Sequence, residues 1–240
     1  MNANHLMLAL TALAAVACSA QPPEERIVRL VEQGSLGEAK AEVAKSDATG
    51  VELARLKGLV FHAEYKADSA YHYLSIVHKS GDTSARYEVR YAETLIWMKK
   101  NGTAYDVLAA LRLDPSNALT LGLLEHKAQL LSWIGKYKEA AAIYTSIINS
   151  SSIVATVKLR NRTHRAEVYS WDKDLPRALS ELDAILAIQP GDEEASLVKG
   201  QVQEWQGKYP DAKGTYSKGL QTHPESAKLR QRLESLGWVK

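Results

Sequence analysis

A single cysteine among 240 residues, Cys18, excludes an intrachain disulfide and any thiolate cluster for zinc. Phenylalanine is equally scarce, one beside eleven tyrosines and five tryptophans, whereas an ordinary core draws on all three rings. Charge of one sign is missing too. The 30 Lys and Arg oppose 28 Asp and Glu for a formal charge of +2, too balanced for a nucleic-acid or anionic-membrane surface. Catalytic signatures are lacking as well: there is no phosphate loop, dinucleotide fingerprint or nucleophile elbow. The seven histidines are scattered, His72 and His78 fall on nearly opposite helix faces, and no His-Glu-x-x-His pair exists. These gaps point away from an enzyme, a metal, another cofactor or nucleic acid. The composition that remains, 45% hydrophobic and 24% charged, is that of a folded chain rather than a disordered one.

The N-terminus carries the one uncharged apolar run of note, Leu6 to Val16. It is well short of the about 20 residues that span a membrane, and it has the length of a signal-peptide apolar region. Ala15-Val16-Ala17-Cys18 follows, small residues leading into the one cysteine. This segment resembles the lipobox of bacterial lipoproteins. The resemblance implies cleavage after Ala17, lipidation of Cys18 and membrane attachment by the lipid anchor alone. Ala15 stands where that family most often has Leu, and MNANH brings no Lys or Arg, so ordinary cleavage after Ala17 or Ala20 is the alternative. Ser19, behind the cysteine, implies by the same resemblance the outer membrane rather than the inner. The expected organisation is a signal peptide over 1–17, a short linker over 18–25 and a folded body over 26–240.

That body repeats itself. GKYKEAAAIY (Gly135 to Tyr144) and GKYPDAKGTY (Gly207 to Tyr216) share Gly, Lys, Tyr, Ala and Tyr at the same offsets. Pro190 and Pro224, Ala178 and Ala212, Ala166 and Gly200, and Trp171 and Trp205 are each 34 apart. The period and residue types resemble the tetratricopeptide repeat. That family's unit takes small residues at positions eight and twenty, Gly at fifteen, aromatics at seventeen and twenty-four, and Pro at thirty-two. Glu193 to Ser226 supplies Gly200, Gly207, Tyr209, Ala212, Tyr216 and Pro224 at those positions. Extension outward gives units at about 20–50, 51–84, 85–117, 121–154, 159–192 and 193–226, the first resting on Gly34-Ser35-Leu36-Gly37-Glu38-Ala39.

The residue types have a physical purpose. Two antiparallel helices cross closely only where their contact residues are small. Proline ends the second helix, because inside it would lose a hydrogen bond and clash with the preceding turn. One pair cannot bury its apolar face, but stacked pairs can. After the last unit, Leu229, Leu233 and Leu236 share one helical stripe, so a capping helix is expected over 227–238. The expected fold is all-α, a right-handed α-solenoid of about six tetratricopeptide helix pairs plus that C-terminal capping helix.

In the first helix of each unit, positions four, seven, eight and eleven face the core. Positions two, five, nine and thirteen form a second stripe on roughly the opposite side. By resemblance to the family, this stripe lines a concave ligand groove. Its members are Arg86, Val89, Glu93 and Trp97; Gly122, Glu125, Gln129 and Trp133; Arg160, Thr163, Glu167 and Trp171; and Glu194, Leu197, Gln201 and Trp205. Tryptophan thus recurs at position thirteen in four consecutive units. Such a ladder either grips an extended peptide or sugar rings, or wedges between adjacent first helices and only builds the array. His62 is a lone histidine at groove position twelve. The one basic cluster, Lys158, Arg160, Arg162 and Arg165 with His164, wraps around its helix and is expected to be a solvated face.

The resemblance implies a non-enzymatic protein-binding scaffold of the bacterial envelope, exported to the periplasm and lipid-anchored to the outer membrane. A peptide or helix from other envelope proteins would lie in the groove. The Lys and Asn pattern by which cytosolic chaperone-binding members hold a terminal carboxylate is not reproduced. Tryptophan before the Gly-x-Tyr turn is similar to the periplasmic repeat domains of polysaccharide exporters. A carbohydrate-binding module for polysaccharide export or cell-wall work therefore stays open. A lipoprotein with six such repeats also resembles the pilotins, assembly factors for outer-membrane secretins.

Overall fold

The computed structural model describes residues 22–115, 117 and 120–238. The expected signal peptide and Cys18 lie outside the described residues. Two compact units divide the chain, the first ending at Leu111 and the second beginning at Arg112. The first holds three helix pairs: α1 (Pro23–Glu32) with α2 (Leu36–Lys45), α3 (Gly50–Ala63) with α4 (Ala67–Lys79), and α5 (Ala85–Trp97) with α6 (Asn101–Ala110). The second holds three more: α7 (Leu121–Trp133) with α8 (Tyr137–Asn149), α9 (Ala155–Trp171) with α10 (Leu175–Ile188), and α11 (Glu193–Trp205) with α12 (Tyr209–Thr222). The helix α13 (Ala227–Ser235) and a 3₁₀ turn over Leu236–Trp238 close it. No strand occurs among the described residues, and none of their helices is long and apolar enough to cross a membrane.

The turn inside each pair has one design. Position fifteen is left-handed in all six units, at Gly34, Tyr65, Lys99, Gly135, Lys173 and Gly207, with φ between 56° and 79°. The following N–H donates to the carbonyl five residues back, as Ser35 does to Leu30 and Lys208 to Gln203. This closure satisfies carbonyls that the helix end would otherwise orphan. Glycine adopts the geometry freely, whereas the three non-glycine residues adopt it under strain.

Helices within a pair meet at the small residues. Ala70, Ala92, Ala104, Ala128, Ala140, Ala166, Ala178 and Ala212, all at positions eight or twenty, are fully buried. Among the glycines the closest approach is at Gly200, where an added Cβ would lie 2.1 Å from Cε1 of the buried Tyr216 ring. Pairs then stack through their first helices: α3 lies against α1 and α5, and α11 against α9 and α13. The core of the first unit gathers Ile27, Ala39, Leu56 and Val60. That of the second gathers Ala166, Leu182, Ile185 and Val198, and Leu229 and Leu236 of the cap pack on Ala212 and Tyr216.

Element boundaries depart from the repeat register in three places. Helix α1 starts at Pro23, inside the expected linker, because proline's fixed φ suits the first helical turn. Helix α9 starts at Ala155, ahead of the unit boundary at 159, since Ala155 to Lys158 contain no breaker. Helix α6 stops at Ala110, well before Pro115, when Leu111 turns extended. Proline does sit just past the ends of α10 and α12, at Pro190 and Pro224.

Candidate ligand-binding cleft

The second stripe of α7 and that of α9 come together in the second unit. Gly122, Glu125, His126, Gln129 and Ser132 of α7, Tyr144 of α8, and His164, Glu167, Val168 and Trp171 of α9 line a cleft of about 280 Å³. The spacing explains the grouping, because residues three and four apart share one helix face. Trp171 forms part of the wall and is half-buried.

Glu125 anchors the two helices to each other. Its Oε1 accepts hydrogen bonds from Arg160 Nη2 and Asn161 Nδ2, both at 2.6 Å. Asn161, fully buried, also donates to the Val157 carbonyl at 2.9 Å. Glu167 differs: its carboxylate makes no ion pair or hydrogen bond among the described residues. Burial first, and the Glu194 carboxylate second, push its carboxyl up to about 7. The Tyr144 phenol feels the same surroundings. Burial raises it above its ordinary value, and the Glu167, Glu125 and Glu194 carboxylates add to the rise. His164 Nδ1 lies 3.7 Å from the exposed Glu194 carboxylate.

The four tryptophans each end a first helix, yet their surroundings differ. Trp97 stacks on His62 with centroids 4.7 Å apart and meets Tyr65 at a tilt with centroids 5.4 Å apart, a wedge between α3 and α5. Trp171 walls the cleft. Trp133 and Trp205 remain 49% and 54% exposed. In the first unit the stripe is occupied by internal pairs: His62 Nε2 meets Glu93 Oε2 at 3.0 Å, and Arg86 Nη1 donates to Glu24 and Glu25 of α1 at 3.3 and 3.0 Å. Val89 and Thr163, also stripe positions, are buried. Gln129 is exposed and Gln201, on α11, half-buried.

The basic cluster is not a solvated face throughout. Arg165 Nε and Nη2 donate to the two oxygens of Glu181 at 3.1 and 2.5 Å, Arg162 Nε joins at 3.2 Å, and Arg165 Nη1 reaches Thr145 at 2.9 Å. Glu181 is itself buried, and two arginines on one buried carboxylate bind α9 to α10. Among the described residues no group of His, Cys, Asp and Glu is placed to hold a metal ion. Sequence reasoning overlooked Tyr144, His126, Ser132, His164 and Val168 as cleft residues. Tyr144 was legible only as a packing aromatic, and His126 sits one position off the stripe.

No family model and no curated protein matches the chain. Solved structures do match. The C-terminal part of a TPR repeat-containing protein from Cytophaga hutchinsonii superposes with a TM-score of 0.59 at 15% identity, over 89% of this chain and 84% of that one. The fold is the tetratricopeptide solenoid. MamA from Desulfovibrio magneticus shares this tetratricopeptide fold at a TM-score of 0.56 and 14% identity, over 76% of this chain and 99% of that one. A further MamA structure gives 0.55 at 17% identity, over 75% and 94%. At such identities the likeness concerns the tetratricopeptide fold alone.

Proposed function

We propose that the chain is a non-enzymatic scaffold that holds a peptide or helix of a partner protein against the first-helix face of its tetratricopeptide pairs. The observation that carries this reading is the cleft between α7 and α9. It joins a half-buried indole, Trp171, to polar groups that fix orientation, in the manner of peptide-recognition grooves. Trp133 at the end of α7 and Trp205 at the end of α11, each about half exposed, add the aromatic surface on which hot spots are built. A random peptide library displayed against the full chain tests this. Specific binders should emerge, and Trp171→Ala should weaken them by about tenfold, the loss of one modest hot spot. Failure to select any binder, or binders indifferent to Trp171→Ala, refutes the reading.

The half-exposed indoles of Trp133 and Trp205 also favour a second reading, a carbohydrate-binding surface on which sugar rings stack. Titration of tryptophan fluorescence with peptidoglycan and exopolysaccharide fragments decides it, and an unchanged spectrum removes it. Envelope placement belongs to the same proposal: the apolar run Leu6 to Val16 and Cys18 support export and a lipid anchor in the outer membrane. Labelling with radioactive palmitate should mark the wild type and not Cys18→Ala. Equal labelling of both would remove the anchor.

A further inference from the structure

We infer that the cleft between α7 and α9 selects a basic side chain of the bound partner, a lysine or arginine whose cation lies between the Glu167 carboxylate and the Trp171 indole. This rests on the cleft being the partner-binding site. The charges around it are otherwise accounted for. Glu125 is neutralised by Arg160 at 2.6 Å, and Glu194, outside the cleft lining, is half exposed to solvent. Glu167 alone points its charge at the cleft without a counter-ion.

Position on the helix supplies the geometry. Glu167 and Trp171 are four residues apart on α9 and both line the cleft, so their side chains stand one above the other at about 6 Å. A cation over the indole face is therefore within reach of the carboxylate, and attraction to the ring quadrupole grows as water is excluded. Tyr144, buried in the cleft lining, is kept a neutral phenol by burial and by the nearby carboxylates, so it adds no positive charge that could serve Glu167 as a counter-ion.

Size and charge narrow the ligand. At about 280 Å³ the cleft falls just below the roughly 300–1,000 Å³ of small-molecule pockets. It suits one long side chain rather than a whole helix. An acidic side chain would meet the unpaired Glu167 carboxylate and be repelled. A neutral one would cover the Glu167 carboxylate and leave it desolvated without a partner, which disfavours binding. A lysine or arginine supplies both the missing charge and an apolar stem to lie along Val168 and Trp171.

The peptides selected by display against the full chain provide the test. They should share a lysine or arginine at one position. Resynthesis with norleucine for lysine, or citrulline for arginine, should weaken binding to the wild type at least tenfold at pH 8. Glu167→Gln should weaken the basic peptide to a similar extent while the neutral one binds no worse, so that the two changes are not additive. Binders with no shared basic residue, or equal affinity for the basic and neutral peptides, would overturn the inference while leaving the scaffold reading intact. A Glu167→Gln effect equal on both peptides would do the same. Absence of binders would remove both. The norleucine and citrulline comparison uses wild-type protein, so the outcome does not depend on how any variant folds.

Discussion

Adding one methyl group at Gly200 should destabilise the C-terminal helix pairs measurably. An ideal Cβ there would lie 2.1 Å from Cε1, 2.3 Å from Cζ and 2.8 Å from Cδ1 of Tyr216. The ring cannot simply swing aside, because it is fully buried and its hydroxyl donates to the Glu204 carboxylate. Alanine in place of glycine favours the helix by about 1 kcal/mol. Against this, overpacking costs about 1–3 kcal/mol or more, and loss of the Glu204 bond adds about 1 kcal/mol. The balance is a net loss of roughly 1–3 kcal/mol. Gly214→Ala, in α12 of the same pair, is the control: nothing lies within 4 Å of its Cβ, so only the propensity gain of up to about 1 kcal/mol remains. Urea unfolding followed by far-ultraviolet circular dichroism reads both. Gly200→Ala as stable as Gly214→Ala would refute the close crossing of α11 and α12.

The left-handed turn at Lys173 makes the opposite kind of prediction. Lys173→Gly relieves φ of 69° and should raise stability by about 1 kcal/mol, while Gly135→Ala should lower it by a like amount. Equal melting points across the two variants would speak against the shared turn. Glu167 gives a pH signature. Its folded carboxyl sits at about 7, above the unfolded value near 4.3, so the folded state binds that proton more tightly. The associated stability is fully present below about pH 4.3 and lost as pH rises through about 7, by at most about 4 kcal/mol. Glu167→Gln removes the dependence and should melt above wild type at pH 8 but alongside it at pH 4.5. Identical melting at pH 8 would contradict the buried carboxylate. Glu181→Ala leaves Arg162 and Arg165, with side chains only 24% and 17% exposed, without their acceptor. It should cost about 2–3 kcal/mol in thermal or urea unfolding, somewhat less than a fully buried pair, and no loss would mean the pairs are idle.

What the period encodes is legible in the amino-acid sequence. The small residues at positions eight and twenty, the turn at fifteen and the leucine stripe of the cap are local requirements, repeated because each pair solves the same packing problem. Glycine marks the left-handed turn only at Gly34, Gly135 and Gly207. At Tyr65, Lys99 and Lys173 the backbone follows the pair geometry against the residue's own preference. The tryptophan ladder is less legible. One residue type at one position meets three surroundings, because each is decided by side chains of another helix. Trp97 depends on His62 and Tyr65 of α3 and the turn after it, and Trp171 on the α7 stripe. Arg162 and Arg165 occupy core-facing positions four and seven, yet their partner Glu181 belongs to α10 and carries no mark of the pairing in its spacing. Pairings of charges that are distant in sequence lie outside what periodicity reports.

The central claim is that a partner lies in the cleft between α7 and α9. Site-specific photo-crosslinking in cells that natively make the protein examines it most directly. A benzophenone side chain is placed at Gln129, in the cleft, or at Lys138, exposed on α8. The account predicts a discrete crosslinked partner polypeptide from Gln129, its loss with Trp171→Ala, and none from Lys138. Crosslinking of equal strength from both positions, or from neither, would contradict it.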